Sequence, residues 1–301
     1  MKKVILNLFL LLILIFGVYY GYKGVKEINF KKSDVLLTTV QNEKNDKEDI
    51  EKVEHIKEEK DIIEDVSEND MEKYKEIPLE EVRIPILMYH SISDTDPNNS
   101  LLVPPALFEE HIKWLSDNGF TAMSLDEVKT AKDTGKVPEK PVVITFDDGY
   151  VDNYTAAFPI LQKYNMKATF FIITNNTDKD GYYMSSNMLK EMNEKGMEIE
   201  NHTAYHLELN TLSREEQVAS IKDGQAFLKD VIGVESNDLC YPVGRYNDIT
   251  LQVAKELNIN LAVTTEGGIS DFEDGPYDLK RVRISPMNIE SFSSIFEEFV
   301  E

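Results

Sequence analysis

From residue 82 onward, apolar positions fall into short runs separated by amphipathic stretches. The segment 82–89 (Val-Arg-Ile-Pro-Ile-Leu-Met-Tyr) reads as a short buried strand. The β-branched run 141–146, closed by Asp-Asp-Gly, reads as a central strand meeting a loop at its C-terminal end. Further strands are predicted over 168–173, 197–200, 239–241, 261–264 and 280–284, and helices over 105–118, 153–164, 188–195, 214–232 and 249–257. In the first helix Leu107, Phe108, Ile112, Trp114 and Leu115 supply the apolar positions, Pro159 interrupts the second, and Gly196 stops the third. Strands alternating with helices predict parallel strands in an α/β fold. Periodicity alone leaves a closed barrel and an open doubly wound sheet both standing. In either, chemistry belongs at the C-terminal ends of the strands.

The N-terminal pattern is different. Met1-Lys2-Lys3 precedes a nearly unbroken apolar run ending at Tyr22, and about 20 apolar residues suffice to cross a bilayer. The two lysines favour a cytoplasmic N-terminus, and Tyr19, Tyr20 and Tyr22 fall where an aromatic belt meets the outer headgroups. A cleaved signal peptide is the rival reading, but no small-x-small cleavage site follows, nor a cysteine for lipid attachment. Residues 1–25 are therefore assigned as a transmembrane signal-anchor. Residues 26–81, rich in Lys, Glu and Asp, bury too little apolar surface to offset their ordering entropy and are read as a charged stalk. Residues 82–301 form the globular part. The expected setting is a bacterial cell membrane, crossed once, with the globular part outside; secretion after cleavage is the alternative.

Composition narrows the function classes. A formal net charge of −23 repels a nucleic-acid backbone, and no local basic patch offsets it. The single cysteine, Cys240, excludes an internal disulfide and any multi-cysteine metal site. An exported protein without disulfides fits a bacterial surface.

Two motifs carry chemistry. His202 and His206, in Asn-His-Thr-Ala-Tyr-His directly after the strand at 197–200, have the i, i+4 spacing that brings two imidazoles to one metal. Asp147 and Asp148 end the most hydrophobic strand, where adjacent carboxylates are costly unless a cation offsets them. Two imidazoles and one carboxylate leave a position open for water, and the second aspartate can take a proton from that water. A turn or helix cap would also accommodate Asp-Asp-Gly; the two motifs together favour the metal site.

At these residues, Thr145-Phe146-Asp147-Asp148 and His202-Thr203-Ala204-Tyr205-His206, the chain resembles the polysaccharide deacetylase family (carbohydrate esterase family 4) over 82–284. The resemblance implies a distorted (β/α) barrel, a divalent metal such as Zn²⁺, and hydrolysis of N-acetyl groups on an acetylated polysaccharide. Carried over, Asp147 is the catalytic base, and Asp148, His202 and His206 are metal ligands. The family's third motif, Arg-x-Pro-aromatic-Gly, corresponds to Cys240-Tyr241-Pro242-Val243-Gly244, so Cys240 stands where the arginine belongs. The Val243 N–H is the candidate oxyanion donor, Tyr241 a candidate substrate contact, and Arg245, Arg281 and Arg283 candidates for the missing charge. Arg281 and Arg283 share one face of the last predicted strand.

The family's late histidine has no counterpart, since no histidine follows His206. His90, in Ile-Leu-Met-Tyr-His-Ser, fills that gap as candidate general acid, because the stretch resembles the opening of the poly-β-1,6-N-acetylglucosamine deacetylase subgroup. His111 is expected in packing or at the surface, His55 in solvent, and Cys240 in the core. Tyr150, Asn153 and Tyr154 follow the aspartate pair, where a sugar cleft or ordinary packing would use them. The alternatives to an N-acetylglucosamine-polymer deacetylase are an O-acetyl esterase, a peptidoglycan deacetylase with the same site, and a degenerate carbohydrate-binding module.

Overall fold

Ten strands form in the computed structural model, which describes residues 74–300 except 274. In chain order they are β1 (Tyr74–Glu76), β2 (Ile86–Tyr89), β3 (Thr121–Ala122), β4 (Lys136–Pro138), β5 (Pro141–Phe146), β6 (Thr169–Ile172), β7 (Glu198–Asn201), β8 (Asp238–Cys240), β9 (Leu261–Gly267) and β10 (Leu279–Arg283). Seven of these pair in parallel in the order β2-β10-β9-β8-β7-β6-β5. The ring closes where β5 pairs again with β2, Ile86 opposite Val143 through Tyr89 opposite Phe146. The parallel α/β reading thus resolves into a closed barrel. The two-residue β3 pairs in parallel beside the start of β5, outside the ring, and β1 and β4 form a separate antiparallel pair.

Parallel strands covered on both faces are apolar along their whole length, and β2, β5 and β6 are buried at every residue. Period-two alternation then sorts their side chains. Leu87, Tyr89, Val142, Ile144, Phe146, Phe170, Ile172 and Ile199 pack outward against helices, whereas Ile86, Val143, Phe171, Cys240, Val263 and Leu279 belong to a second, interior cluster.

The helices are α1 (Pro105–Asp117), α2 (Leu125–Thr134), α3 (Phe158–Lys163), α4 (Ser186–Glu194), α5 (Arg214–Ile232), α6 (Asp248–Glu256) and the short α7 (Ile289–Ser293) and α8 (Glu297–Val300). Their ends are locally encoded: Ser213 and Glu216 make a reciprocal capping box at the start of α5, and Gly233 closes it with φ 79°. The helix expected over 153–164 begins instead as a π-turn, Asn153–Ala157, with Pro159 in the first turn of α3, where a missing N–H costs no helical bond. α2, β3 and β4 were not anticipated. The charged stalk expected to reach residue 81 is ordered near its end, where Tyr74–Glu76 pairs with Lys136–Pro138.

The anchor at 1–25, His55 and the stalk up to residue 73 lie outside the described residues. Among the described residues no helix is long and apolar enough to cross a membrane. His111 is a core residue: its ring stacks on Phe292 of α7, Nδ1 lies 3.2 Å from the Tyr89 hydroxyl, and Nε2 lies 3.0 Å from the Met287 carbonyl.

Candidate active site

The sequence motifs meet at the C-terminal mouth of the barrel. β5 delivers Asp147, whose N–H continues the ladder by donating to the Tyr89 carbonyl of β2. Asp148 then adopts φ 76° and Gly149 φ 77°. This left-handed turn sends two consecutive carboxylates to different partners. Asp147 meets Arg281; Asp148 meets the two histidines.

The histidines come from a loop rather than a helix. After β7, Thr203 and His206 take positive φ values of 64° and 54°. Asn201 supports the reversal: its Oδ1 accepts the Thr203 N–H at 2.8 Å and its Nδ2 donates to the Ile221 carbonyl of α5 at 2.8 Å. The Thr203 hydroxyl accepts the His206 N–H. Gly224 of α5 is required for this approach, because a Cβ there would lie 2.2 Å from Asn201 Oδ1.

The two Nε2 atoms of His202 and His206 lie 3.4 and 3.5 Å from the same oxygen, Asp148 Oδ1. That oxygen is buried and has no hydrogen-bond partner. His202 Nδ1 lies 2.8 Å from the Cys240 carbonyl, which can only accept, so Nδ1 carries the proton and Nε2 presents its lone pair to the cluster. An orphaned carboxylate oxygen facing two imidazole nitrogens is an arrangement that a divalent cation satisfies, and the residues present fit one.

Arg281 supplies the charge missing at Cys240. Fully buried, it donates to Asp147 Oδ1 at 2.8 Å and Oδ2 at 2.7 Å, and also to the Thr145 hydroxyl and the Thr264 carbonyl. Its Nη2 lies 3.2 Å from Cys240 Sγ. Asp147, His202 and Cys240 also gather within ligand distance, but the guanidinium already neutralises that side. Burial pushes the Asp147 carboxyl up; the Arg281 charge and its hydrogen bonds outweigh this and hold it well below the usual carboxylate range.

His90 completes the near shell. Its Nε2 is 3.9 Å from Asp147 Oδ2, and 15% of its side chain is exposed at the mouth. Burial lowers its pKa, with Asp147 and Asp148 opposing. Backbone clamps hold this segment: Asn153 Nδ2 donates to the His90 carbonyl at 2.7 Å, and Asp152 accepts from the Ser91 hydroxyl and the Ile92 N–H.

The remaining candidates separate clearly. Arg245 and Arg283 are exposed and do not reach Asp147. Tyr241 is buried, stacks on Tyr246 and donates to the Tyr277 carbonyl, so its side chain is packing rather than a substrate contact. Val243 is 50% exposed, with φ 49°, on the turn after β8. Asn153 acts as a clamp, and the Tyr154 hydroxyl donates to Glu191 on α4. Tyr150 adjoins the site: burial, then the charge and hydrogen bond of Asp148, push its phenol up. Sequence reading missed the supports Asn201, Asp152 and Ser91. Asn201 immediately precedes the first histidine, which was the available signal.

Comparison with known proteins agrees with this geometry. The polysaccharide deacetylase family model matches residues 134–262. The Bacillus subtilis protein YxkH is 42% identical over 217 residues, covering 71% of this chain and 76% of its own. The Staphylococcus aureus poly-β-1,6-N-acetyl-D-glucosamine N-deacetylase is 30% identical over 212 residues, covering 66% of this chain and 73% of its own. Among solved structures, Streptococcus pyogenes deacetylase PplD, in complex with acetate, superposes with a TM-score of 0.70 at 38% identity, over 72% of this chain and 99% of PplD.

Proposed function

The chain belongs to the polysaccharide deacetylase family, and from that premise we propose that it is a metal-dependent hydrolase removing N-acetyl groups from an N-acetylglucosamine-containing polysaccharide outside the cell. One observation carries the chemistry: the Arg281-held carboxylate of Asp147 stands beside an Asp148–His202–His206 set whose shared oxygen has no other partner.

Asp148, His202 and His206 would hold the cation, with the Cys240 carbonyl fixing the His202 tautomer. A divalent metal there, Zn²⁺ in this reading, supplies Lewis acidity toward the acetamide carbonyl and the attacking water. Asp147 accepts the proton of that water; Arg281 keeps the carboxylate ionised and fixes its orientation, with Oδ2 also facing His90. The N–H of Val243, a half-exposed residue on the turn after β8, donates to the developing oxyanion. As the carbon–nitrogen bond breaks, His90 gives its proton to the departing sugar amine, so acetate and a free amine leave.

The S. aureus relative supports a β-1,6-linked polymer as first choice. The apolar run ending at Tyr22 and the charged stretch after it support a single-pass anchor that carries the site outside a bacterial membrane. The test is acetate release from β-1,6- and β-1,4-linked N-acetylglucosamine oligomers by the full chain, before and after chelation and after Zn²⁺ is restored. Release that stops on chelation and returns with metal supports the reading. A chain that binds metal yet releases acetate from neither series overturns it.

A further inference from the structure

Next to the metal-ligand set stands an ordered aromatic cluster that the chemistry above does not use. Between β6 and α4 the chain folds back so that Tyr183 bridges antiparallel to Tyr150, two residues after Asp148. The Val151 N–H donates to the Tyr182 carbonyl at 2.9 Å and the Met184 N–H to the Gly149 carbonyl at 3.0 Å, so this loop is pinned directly to the turn that carries the aspartates. The Tyr182 N–H is held in addition by Asp180 Oδ1.

The side chains are as defined as the backbone. Tyr150 and Tyr183 stack with centroids 5.5 Å apart at 20°. Tyr182 stands nearly perpendicular to both, 5.4 Å from Tyr150 at 77° and 5.2 Å from Tyr183 at 84°. Edge-to-face contacts at these distances fix ring orientation. Yet Tyr182 remains 61% exposed. A ring held in place by two others, with most of its surface left to water, is built to meet something.

Other large exposed apolar side chains lie on the loops that leave neighbouring strands: Tyr205 and Leu207 after β7, and Val243 after β8. A pyranose offers one face of C–H bonds to such a ring and a periphery of hydroxyls to polar neighbours such as Asp180. Stacking needs no charge and no fixed hydrogen-bond partner, which suits a repeating polymer.

We infer that Tyr182, braced by Tyr183 and Tyr150, is a subsite that stacks the sugar unit flanking the one being deacetylated, so that the protein prefers internal units of a chain over single residues. The inference rests on the deacetylase reading above and adds the residue that holds the flanking unit. Tyr182 is a binding residue; it takes no part in the bond-breaking step.

The experiment uses the full chain with Zn²⁺ and measures acetate release from N-acetylglucosamine oligomers of one, three and five units in both linkages. Wild-type kcat/KM rises with length. Tyr182→Ala raises KM for the pentamer roughly fivefold to tenfold with kcat held, the scale of one lost aromatic stacking contact. Tyr182→Phe restores the wild-type KM, because the ring and not the hydroxyl stacks. An unchanged length dependence in Tyr182→Ala overturns the subsite alone, as does a fall in kcat at constant KM. Failure of Tyr182→Phe to rescue overturns stacking. A metal-loaded wild type inactive on every oligomer overturns the deacetylase reading and the subsite with it.

Discussion

Removing the Arg281 side-chain charge is the sharpest test of how Asp147 is held. In Arg281→Met the volume stays near native, while Asp147 loses two charge-assisted hydrogen bonds at 2.8 and 2.7 Å in a fully buried setting. Leaving one member of a buried ion pair unpaired costs about 3–5 kcal/mol. With the guanidinium gone, burial raises the Asp147 pKa until protonation limits the loss. In the native protein the carboxyl is depressed. Its contribution to stability is therefore complete above the unfolded carboxylate pKa and fades as pH falls through the folded value. In the variant burial acts unopposed, and stability is instead lost as pH rises. The gap between the two proteins is expected to be widest at neutral and alkaline pH, a melting difference of roughly 10 °C for a domain of this size, and to narrow below about pH 4. Acetate release at neutral pH should fall by about a thousandfold or more, with the acidic limb of the kcat/KM profile displaced upward. Arg281→Met combined with Asp147→Leu should recover most of the lost melting temperature and none of the activity. A single variant that melts with wild type and keeps its acidic limb would refute the argument.

Asp148→Asn and His202→Ala should each lose bound metal, read as zinc content after dialysis; stoichiometric metal in either places the cation elsewhere. His90→Gln should lower kcat by about a hundredfold or more with metal content unchanged, the usual scale for a lost general acid; an unaltered kcat moves that role to another group. Gly224→Ala, remote from the reacting atoms, should displace Asn201, destabilise the protein by about 1–3 kcal/mol in denaturant melts and weaken metal affinity through the 202–206 loop; a variant with native stability shows the helix can move aside. Cys240→Arg should destabilise, because it would put a second guanidinium beside a carboxylate that Arg281 already neutralises; a higher melting temperature would show room for both.

The strands were legible because a parallel barrel buries both faces, so 141–146 stands out as continuous apolar β-branched sequence. The helix at 214–232 was legible from periodicity plus caps. Short edge pieces were not. β3 has two residues, β1 is one tyrosine between charges, and α2 shows only Leu125, Val128 and Ala131 to the core, although Ser124, Glu127 and Gly135 marked its ends. The four residues of the aspartate and histidine motifs were legible because each motif is local. Arg281 was one of three possibilities, since its contact spans 134 residues. Alternation puts Arg281 and Arg283 on one face, but only the register of β10 decides which lies level with Asp147. The family model match, 134–262, includes neither His90 nor Arg281. His90 directly follows β2 and Arg281 lies on β10, and these two strands pair with each other. The charge expected on β8 comes instead from β10, two strands along the barrel, and Cys240 lies against that guanidinium.

The placement of Arg281 on β10 also orders events during synthesis. Asp147 is made 134 residues before its counter-ion, and chains begin to collapse from the N-terminal side as they emerge. A nascent chain holding β2 through β9 has a gap between β9 and β2 and a buried acid without a cation. The arrival of β10 removes both deficits together, because the strand that closes the ring carries the guanidinium. The buried ion pair is thereby tied to topological completion, and a chain interrupted before β10 would carry the recognisable motifs and still lack the cation that holds Asp147.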